Sequence, residues 1–189
     1  MTVPFDPENS IQLHDLRFLP NISAQEVQAR VHALGAALQN SLSDDVPLFI
    51  SVLNGSFIFT SDLVRAFEHP CEITFVKLAS YAGTHSTGDV QTIMGLDKDI
   101  AGRHLVVVED IVDTGRTLHF FLQQLWAQHP ASITTVGLLR KPEAAQFPVK
   151  IDLVGFDIED KFVVGYGLDY NGLGRNLKGI YVLEPTIRP

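Results

Sequence analysis

One stretch constrains this chain more than any other: residues 105–118, LVVVEDIVDTGRTL. Val106, Val107 and Val108 form a β-branched run, which favours a strand. The run ends in two carboxylates, Glu109 and Asp110, and a third, Asp113, follows. Thr114, Gly115, Arg116 and Thr117 come next, ahead of a helical pattern. The reading is a buried strand, an acidic edge, a short loop and a helix start. Like charges repel, so three carboxylates at one strand end point to a cation or a hydroxyl-rich ligand between them. They can hold Mg²⁺ or the hydroxyls of a ribose. The loop and helix start offer amides and hydroxyls to a phosphate.

The rest of the chain supplies a frame for that stretch. Pro4, Pro7 and Pro20 punctuate an N-terminal arm over residues 1–22, which reads as irregular with one short helical or strand element. Ser23 and Glu26 have capping-box spacing, and Val27, Val31, Leu34 and Leu38 give the helix after them an apolar stripe. Pro47–Leu53 is almost wholly apolar, the pattern of a parallel strand covered on both faces. It runs into Asn54, Gly55 and Ser56 and then a helix. That turn reads equally as an ordinary connection or as a place where freed amides grip an anion such as pyrophosphate. Cys71–Leu78 and Ile133–Leu139 are further core strands, and Gln91–Met94 is strand-like. Between Ala79 and Val90 the sequence ASYAGTHSTGDV is small, polar and hydroxyl-rich, which suits a mobile hairpin tip or lid. Lys141 arrives at the same sheet edge as Glu109, where ligands of open α/β sheets bind, and serves a ligand carbonyl or phosphate there or lies in solvent. From Pro148 the periodicity changes, and Ile151–Val154, Phe162–Tyr166 and Ile180–Leu183 read as short strands of a small cap. Phe162, taken alone, is a core aromatic.

Composition narrows the class. At 189 residues the chain suits one domain over 1–189, with a core from about 23 to 147 and a small hood from about 1–22 and 148–189. Hydrophobic residues at 46% against 19% charged are a globular balance, not a disordered one. Twenty-two acidic residues against 14 basic ones, a net charge of -8, argue against a nucleic-acid surface. No apolar run reaches the length of a membrane span, and the opening MTVPFDPENS has neither the basic flank nor the apolar run of a secretory signal. Cys71 is the one cysteine, so no internal disulfide forms and a reducing cytoplasm is expected.

With these segments in view, the chain resembles the purine salvage phosphoribosyltransferases, specifically the hypoxanthine-guanine phosphoribosyltransferase family. The resemblance rests on Val106–Thr117, on Leu53–Phe59 and Lys77–Val90, and on Asp157–Arg175, where DKFVVGYGLDYN is close to the form in the purine enzymes. It implies a type I phosphoribosyltransferase fold: a Rossmann-like central parallel sheet flanked by helices, a small strand-containing hood and a mobile loop. It also implies Mg²⁺-dependent transfer of the 5-phosphoribosyl group from phosphoribosyl pyrophosphate to N9 of hypoxanthine or guanine.

Site roles follow from the same resemblance. Glu109 and Asp110 hold ribose hydroxyls with Mg²⁺ involved, and Asp169 coordinates a second Mg²⁺. Asp113 lies near N7 of the purine as general base or acid. Thr114, Gly115, Arg116 and Thr117 cradle the 5′-phosphate. Lys141 hydrogen-bonds the 6-oxo group, Phe162 stacks on the ring and Val163 reads the purine edge through its backbone. Arg175 contacts pyrophosphate. The Leu53–Asn54 peptide is cis, turning amides of Asn54, Gly55 and Ser56 toward pyrophosphate. Tyr81 stands at the base of the lid, loop 80–90. Several family members carry Lys or Arg where this chain has Asn54, which removes a charge near pyrophosphate. The family forms homodimers or homotetramers. Competing readings are a xanthine-preferring or a pyrimidine phosphoribosyltransferase, and an RNA-binding regulator on the same fold. The acidic balance weighs against the regulator.

Overall fold

The computed structural model describes residues 10–42, 46–80, 90–94, 96 and 98–185, with the side chains of 79–80 and 90–94 left aside. Two sheets share the chain. The larger has six strands: β3 (Leu48–Leu53), β4 (Glu72–Ser80), β5 (Val90–Met94), β6 (His104–Val112), β7 (Ser132–Arg140) and β8 (Leu153–Asp157). Their order is β5-β4-β3-β6-β7-β8, parallel except for β5, which runs antiparallel to β4. Three helices accompany them: α1 (Ala24–Ser41), α2 (Phe57–Ala66) and α3 (Arg116–Trp126). The smaller sheet is antiparallel, ordered β1-β2-β10-β9, from β1 (Ile11–Leu13), β2 (Leu16–Ile22), β9 (Val163–Val164) and β10 (Ile180–Leu183). This is the α/β architecture, hood included, that the resemblance implies.

Apolar periodicity explains the layers. Leu48, Phe49 and Ile50 of β3 and Leu105–Val108 of β6 have no exposed surface, because both faces are covered. Phe49, Val106 and Val108 pack with α1 and α2, while Leu48, Ile50, Leu105 and Val107 pack with Leu118, Phe121 and Leu125 of α3. Helix α1 starts at the expected capping box. The Ser23 hydroxyl accepts from the Glu26 amide, and the Glu26 carboxylate accepts from the Ser23 amide at 2.9 Å.

Three expectations need correction. The N-terminal arm is not mostly irregular: from Ile11 to Ile22 it is a β-hairpin, completed by β10 and sharing a core of Phe18, Val164 and Tyr181. The strand beginning near 151 does not belong to the cap. It is β8, paired in parallel with β7 at the edge of the main sheet. Its crossover carries only a short 3-10 turn at Pro142–Ala144, so the helical periodicity that marks a β-α-β unit is missing. The central strand also does not stop at Val108. It continues to Val112, because β7 keeps pairing with it after β3 has departed at Ser51↔Val108. Across Glu109 and Asp110 the alternation reverses, and Ile111 joins the α1/α2 cluster while Val112 joins the α3 cluster. The two carboxylates therefore sit inside a strand, at an irregularity, just past the last residue that β3 pairs.

Candidate active site

The turn after β3 is built on buried hydroxyls. Ser51 Oγ lies 2.7 Å from both Ser56 Oγ and Thr60 Oγ1, and the Ser56 hydroxyl donates to the Val52 carbonyl at 2.5 Å. All three side chains are buried. They brace a turn whose Leu53–Asn54 peptide is cis, as the resemblance implied. Asn54 is exposed and Gly55 is buried. A Cβ on Gly55 would fall 1.5 Å from Asp110 Oδ2, so only glycine lets the carboxylate of β6 lie against this backbone. The sequence reading named Ser56 only for its amide and did not single out Ser51 or Thr60. The usable signal was a lone hydroxyl, Ser51, in the apolar run LFISVL.

The carboxylate pair is held in an unfavourable setting. Glu109 Oε2 is buried with no hydrogen-bond partner among the described residues. Burial first, and Asp110 beside it second, push the Glu109 carboxyl well above the ordinary carboxylate range. Burial also raises Asp110, to about 6, against the opposing pull of the Asp110 and Ile111 amides and Arg175; Asp169 pushes it further up. Arg175 offsets this only in part at Asp110, and a cation fits the donor chemistry of the pair. Among the described residues no three His, Cys, Asp or Glu groups converge to hold a metal unaided.

The hood closes this end. Asp169 Oδ1 pairs with Arg175 Nη2 at 2.6 Å, and Asp169 Oδ2 accepts the Gly172 amide at 2.7 Å. Arg175 Nη1 donates to the Gly167 carbonyl at 2.6 Å. Gly167 has a left-handed φ of 107°, and a Cβ there would come within 1.9 Å of the Gly55 carbonyl. The loop of Asp169 and Arg175 thus rests directly on the turn that meets Asp110.

Beyond β6 the loop continues into α3. Gly115 adopts a left-handed φ of 77° at the helix start, where most side chains are strained. Thr114 Oγ1 accepts the Arg116 amide at 3.3 Å, and the Thr114 carbonyl accepts amides of Gln146 and Phe147, tying the cradle to the β7–β8 connection. Thr117 is half-buried and Arg116 exposed. Lys141 is 6% exposed, which excludes the solvent-facing alternative. Its ammonium donates to Asp113 Oδ2 at 3.2 Å and to Asp160 Oδ1 at 3.1 Å. In the sequence Asp160 appears only as the first residue of the DKFVVGYGLDYN run, with no role of its own. Phe162 is 45% exposed, hence not the core aromatic its residue type suggests; Phe18 and Tyr170 flank it with ring centroids 6.1 and 6.0 Å away. Val163 is buried in β9 and aligned with Val182. Tyr81 and most of loop 80–90 lie outside the described residues.

Two groups emerge at one sheet edge. Gly55, Glu109, Asp110, Asp169 and Arg175 lie together at one end. Asp113, Lys141 and Asp160 form a second, beside Phe162 in the chain.

The chain is similar to known proteins over most of its length. The phosphoribosyl transferase domain family matches residues 22–171. A hypoxanthine-guanine phosphoribosyltransferase of Mycobacterium avium is 42% identical over 173 residues, covering 88% of this chain and 85% of its own length. A hypoxanthine phosphoribosyltransferase of Haemophilus influenzae is 42% identical over 169 residues, covering 86% of this chain and 94% of its own. The crystal structure of a hypoxanthine-guanine phosphoribosyltransferase from Bacillus anthracis superposes with a TM-score of 0.83 at 34% identity, over 92% of this chain and 100% of that one.

Proposed function

The chain belongs to the hypoxanthine-guanine phosphoribosyltransferase family, and on that premise we propose how its site performs transfer of the 5-phosphoribosyl group to a 6-oxopurine. The reaction takes hypoxanthine or guanine and phosphoribosyl pyrophosphate to IMP or GMP and pyrophosphate. The observation that carries the reading is the meeting of the two groups on β6 and its loop. A buried, under-neutralised carboxylate pair stands three to four positions before an Asp113 held by a buried lysine.

Bond breaking at C1 leaves positive character on the ribose and negative charge on pyrophosphate. The amides of the 54–56 turn and Arg175 oppose the developing negative charge where it forms. Glu109 and Asp110 receive the ribose hydroxyls, whose O–H groups donate to the carboxylates. Thr114, Gly115, Arg116 and Thr117 take the 5′-phosphate at the start of α3, where free amides favour an anion. Lys141 directs its ammonium to the 6-oxo oxygen, Phe162 offers its open face to the ring, and the Val163 backbone reads the purine edge. Asp113 accepts or holds the N7 proton, which makes N9 the better nucleophile. Glu109 and Asp110 would hold one Mg²⁺ together with substrate oxygens and Asp169 would hold a second, and these ions would supply charge neutralisation at the pyrophosphate. The hydroxyl- and glycine-rich stretch 80–90, with Tyr81 at its base, is assigned to excluding water from C1.

Base preference is the finer part of the proposal. Relatives equally similar to this chain are named for hypoxanthine and guanine and for hypoxanthine alone. Incubation with Mg²⁺, phosphoribosyl pyrophosphate and each of hypoxanthine, guanine, xanthine and adenine decides it. IMP and GMP are the products expected, and a nucleotide from xanthine or adenine alone overturns the base assignment.

A second copy of the chain is the partner we assign. Phe57, Ile73 and Phe75 are exposed at 43, 39 and 41%. Ile73 and Phe75 stand in register with Phe49 and Ser51, so they face the α1/α2 side of the sheet where α2 does not cover them. Such an apolar face suits a subunit contact in a homodimer or homotetramer. Among the described residues no helix is long and apolar enough to cross a membrane. With Cys71 the single cysteine, the fold needs no oxidising compartment, and we place the reaction in the cytoplasm.

A further inference from the structure

Tyr166 has no part in the reaction as derived, yet it is 2% exposed and carries a polar group into the core. Its hydroxyl donates to Asp62 Oδ2 at 2.6 Å, and the same oxygen accepts Gln28 Nε2 at 2.8 Å. Gln28 belongs to α1 and Asp62 to α2, so one hydroxyl ties the hood to both helices. The backbone there is unusual. Gly165, Tyr166 and Gly167 have consecutive left-handed φ values of 104°, 48° and 107°. A tyrosine in that region is strained unless its surroundings impose the conformation. The residue after the anchor is Gly167, whose Cα lies against the Gly55 carbonyl and whose own carbonyl receives Arg175 Nη1. The Gly167 amide in turn donates to the Arg175 carbonyl at 2.9 Å. The path from core to site is therefore short: Asp62 and Gln28, Tyr166, Gly167, then Gly55 on one side and Arg175 with Asp169 on the other.

We propose that Asp62 and Tyr166 are positioning residues for the pyrophosphate end of the site, fixing the Gly167 backbone against Gly55 and so setting Arg175 and Asp169 relative to Asp110. The inference rests on the reading of that end as the phosphoribosyl pyrophosphate site. Burial, and then the Asp62 carboxylate, push the phenol far above its ordinary value, so it remains a donor at working pH. At the base end, Lys141, Asp113 and Asp160 are joined to each other without passing through Gly167.

Tyr166→Phe removes the hydroxyl and leaves the ring. Binding of phosphoribosyl pyrophosphate with Mg²⁺ is measured by calorimetry without base, and KM is measured for both substrates. Losing one hydrogen bond to a carboxylate is expected to weaken phosphoribosyl pyrophosphate binding and raise its KM about ten-fold, while KM for hypoxanthine changes less than about two-fold. Asp62→Asn keeps an acceptor oxygen and is expected to fall between wild type and Tyr166→Phe. It is judged by the same criterion if Tyr166→Phe does not fold. Unchanged affinity for phosphoribosyl pyrophosphate, or equal rises in both KM values, overturns the proposal even if Tm falls, since a bracing role alone moves stability without splitting the substrates. If wild type itself does not bind phosphoribosyl pyrophosphate, the functional reading fails and the pair's role with it. Wild-type binding matched by both variants overturns the pair alone.

Discussion

At Lys141 a single buried ammonium holds two carboxylates, Asp113 and Asp160, and this sets what each can do alone. Lys141→Ala removes the donor assigned to the 6-oxo group and leaves both carboxylates without their cation. KM for hypoxanthine is expected to rise about ten-fold or more, with KM for phosphoribosyl pyrophosphate little changed; steady-state kinetics with each substrate varied in turn checks it. Asp113→Asn keeps the shape and loses the proton acceptor. Its kcat is expected to fall on the order of 10²-fold or more while phosphoribosyl pyrophosphate still binds, and an unchanged kcat would remove Asp113 from the chemistry. Asp110 yields a prediction about pH. Its folded value of about 6 lies above the ordinary 3.8, so between the two the native state holds a proton that the unfolded chain has released. Its contribution to stability is full below the lower value and is lost as pH rises through the upper one. Metal-free protein is expected to lose Tm through this window. Asp110→Asn should flatten that slope and raise Tm by a few degrees near neutral pH, at the cost of activity, as thermal melts against pH will read.

Among the elements, the β3–α2 connection depends on side chains inside the strand more than on the turn itself. Ser51 bonds both Ser56 and Thr60, so Ser51→Ala leaves buried hydroxyls short of a partner. The expected cost is about 1–3 kcal/mol in urea-unfolding free energy, with a raised KM for phosphoribosyl pyrophosphate because the 54–56 turn loosens. A stability loss with that KM unchanged would confine the hydroxyls to holding the core. Elements differ in how plainly the sequence announces them. Helix α1 is legible from Ser23, Glu26 and its apolar stripe, because capping and amphipathicity are local. The sheet to which strand β8 belongs is not, since its pairing with β7 spans a connection with no regular helix. The extension of β6 through Glu109 and Asp110 is hidden for a similar reason: a ladder with β7 holds it, and charged residues argue locally against a strand.

For the whole molecule, the exposed apolar side chains of Phe57, Ile73 and Phe75 carry the assignment of a subunit contact. Phe75→Glu is expected to shift the protein on size-exclusion chromatography from a dimer or larger assembly toward the 20.9 kDa single chain. Wild type eluting as a single chain would sink the assignment. At this scale the division between sequence and structure is clearest. The sequence alone determined the α/β class, the central strand and its cradle, and the family, because each is written in contiguous residue types: a β-branched run, adjacent carboxylates, an Asp-Thr-Gly turn. It also supplied most candidate site residues, including Asp113, Lys141 and Arg175, as separate names at separate positions. Only the tertiary structure decided which of them meet. It put Asp110 against Gly55, where no Cβ fits, and Gly167 against the same turn. It gave Lys141 a second carboxylate in Asp160, opened the face of Phe162, and anchored the hood through Tyr166 on Asp62. Those contacts join residues that are 19 to 112 positions apart, and no local pattern records a distance between segments that only folding brings together.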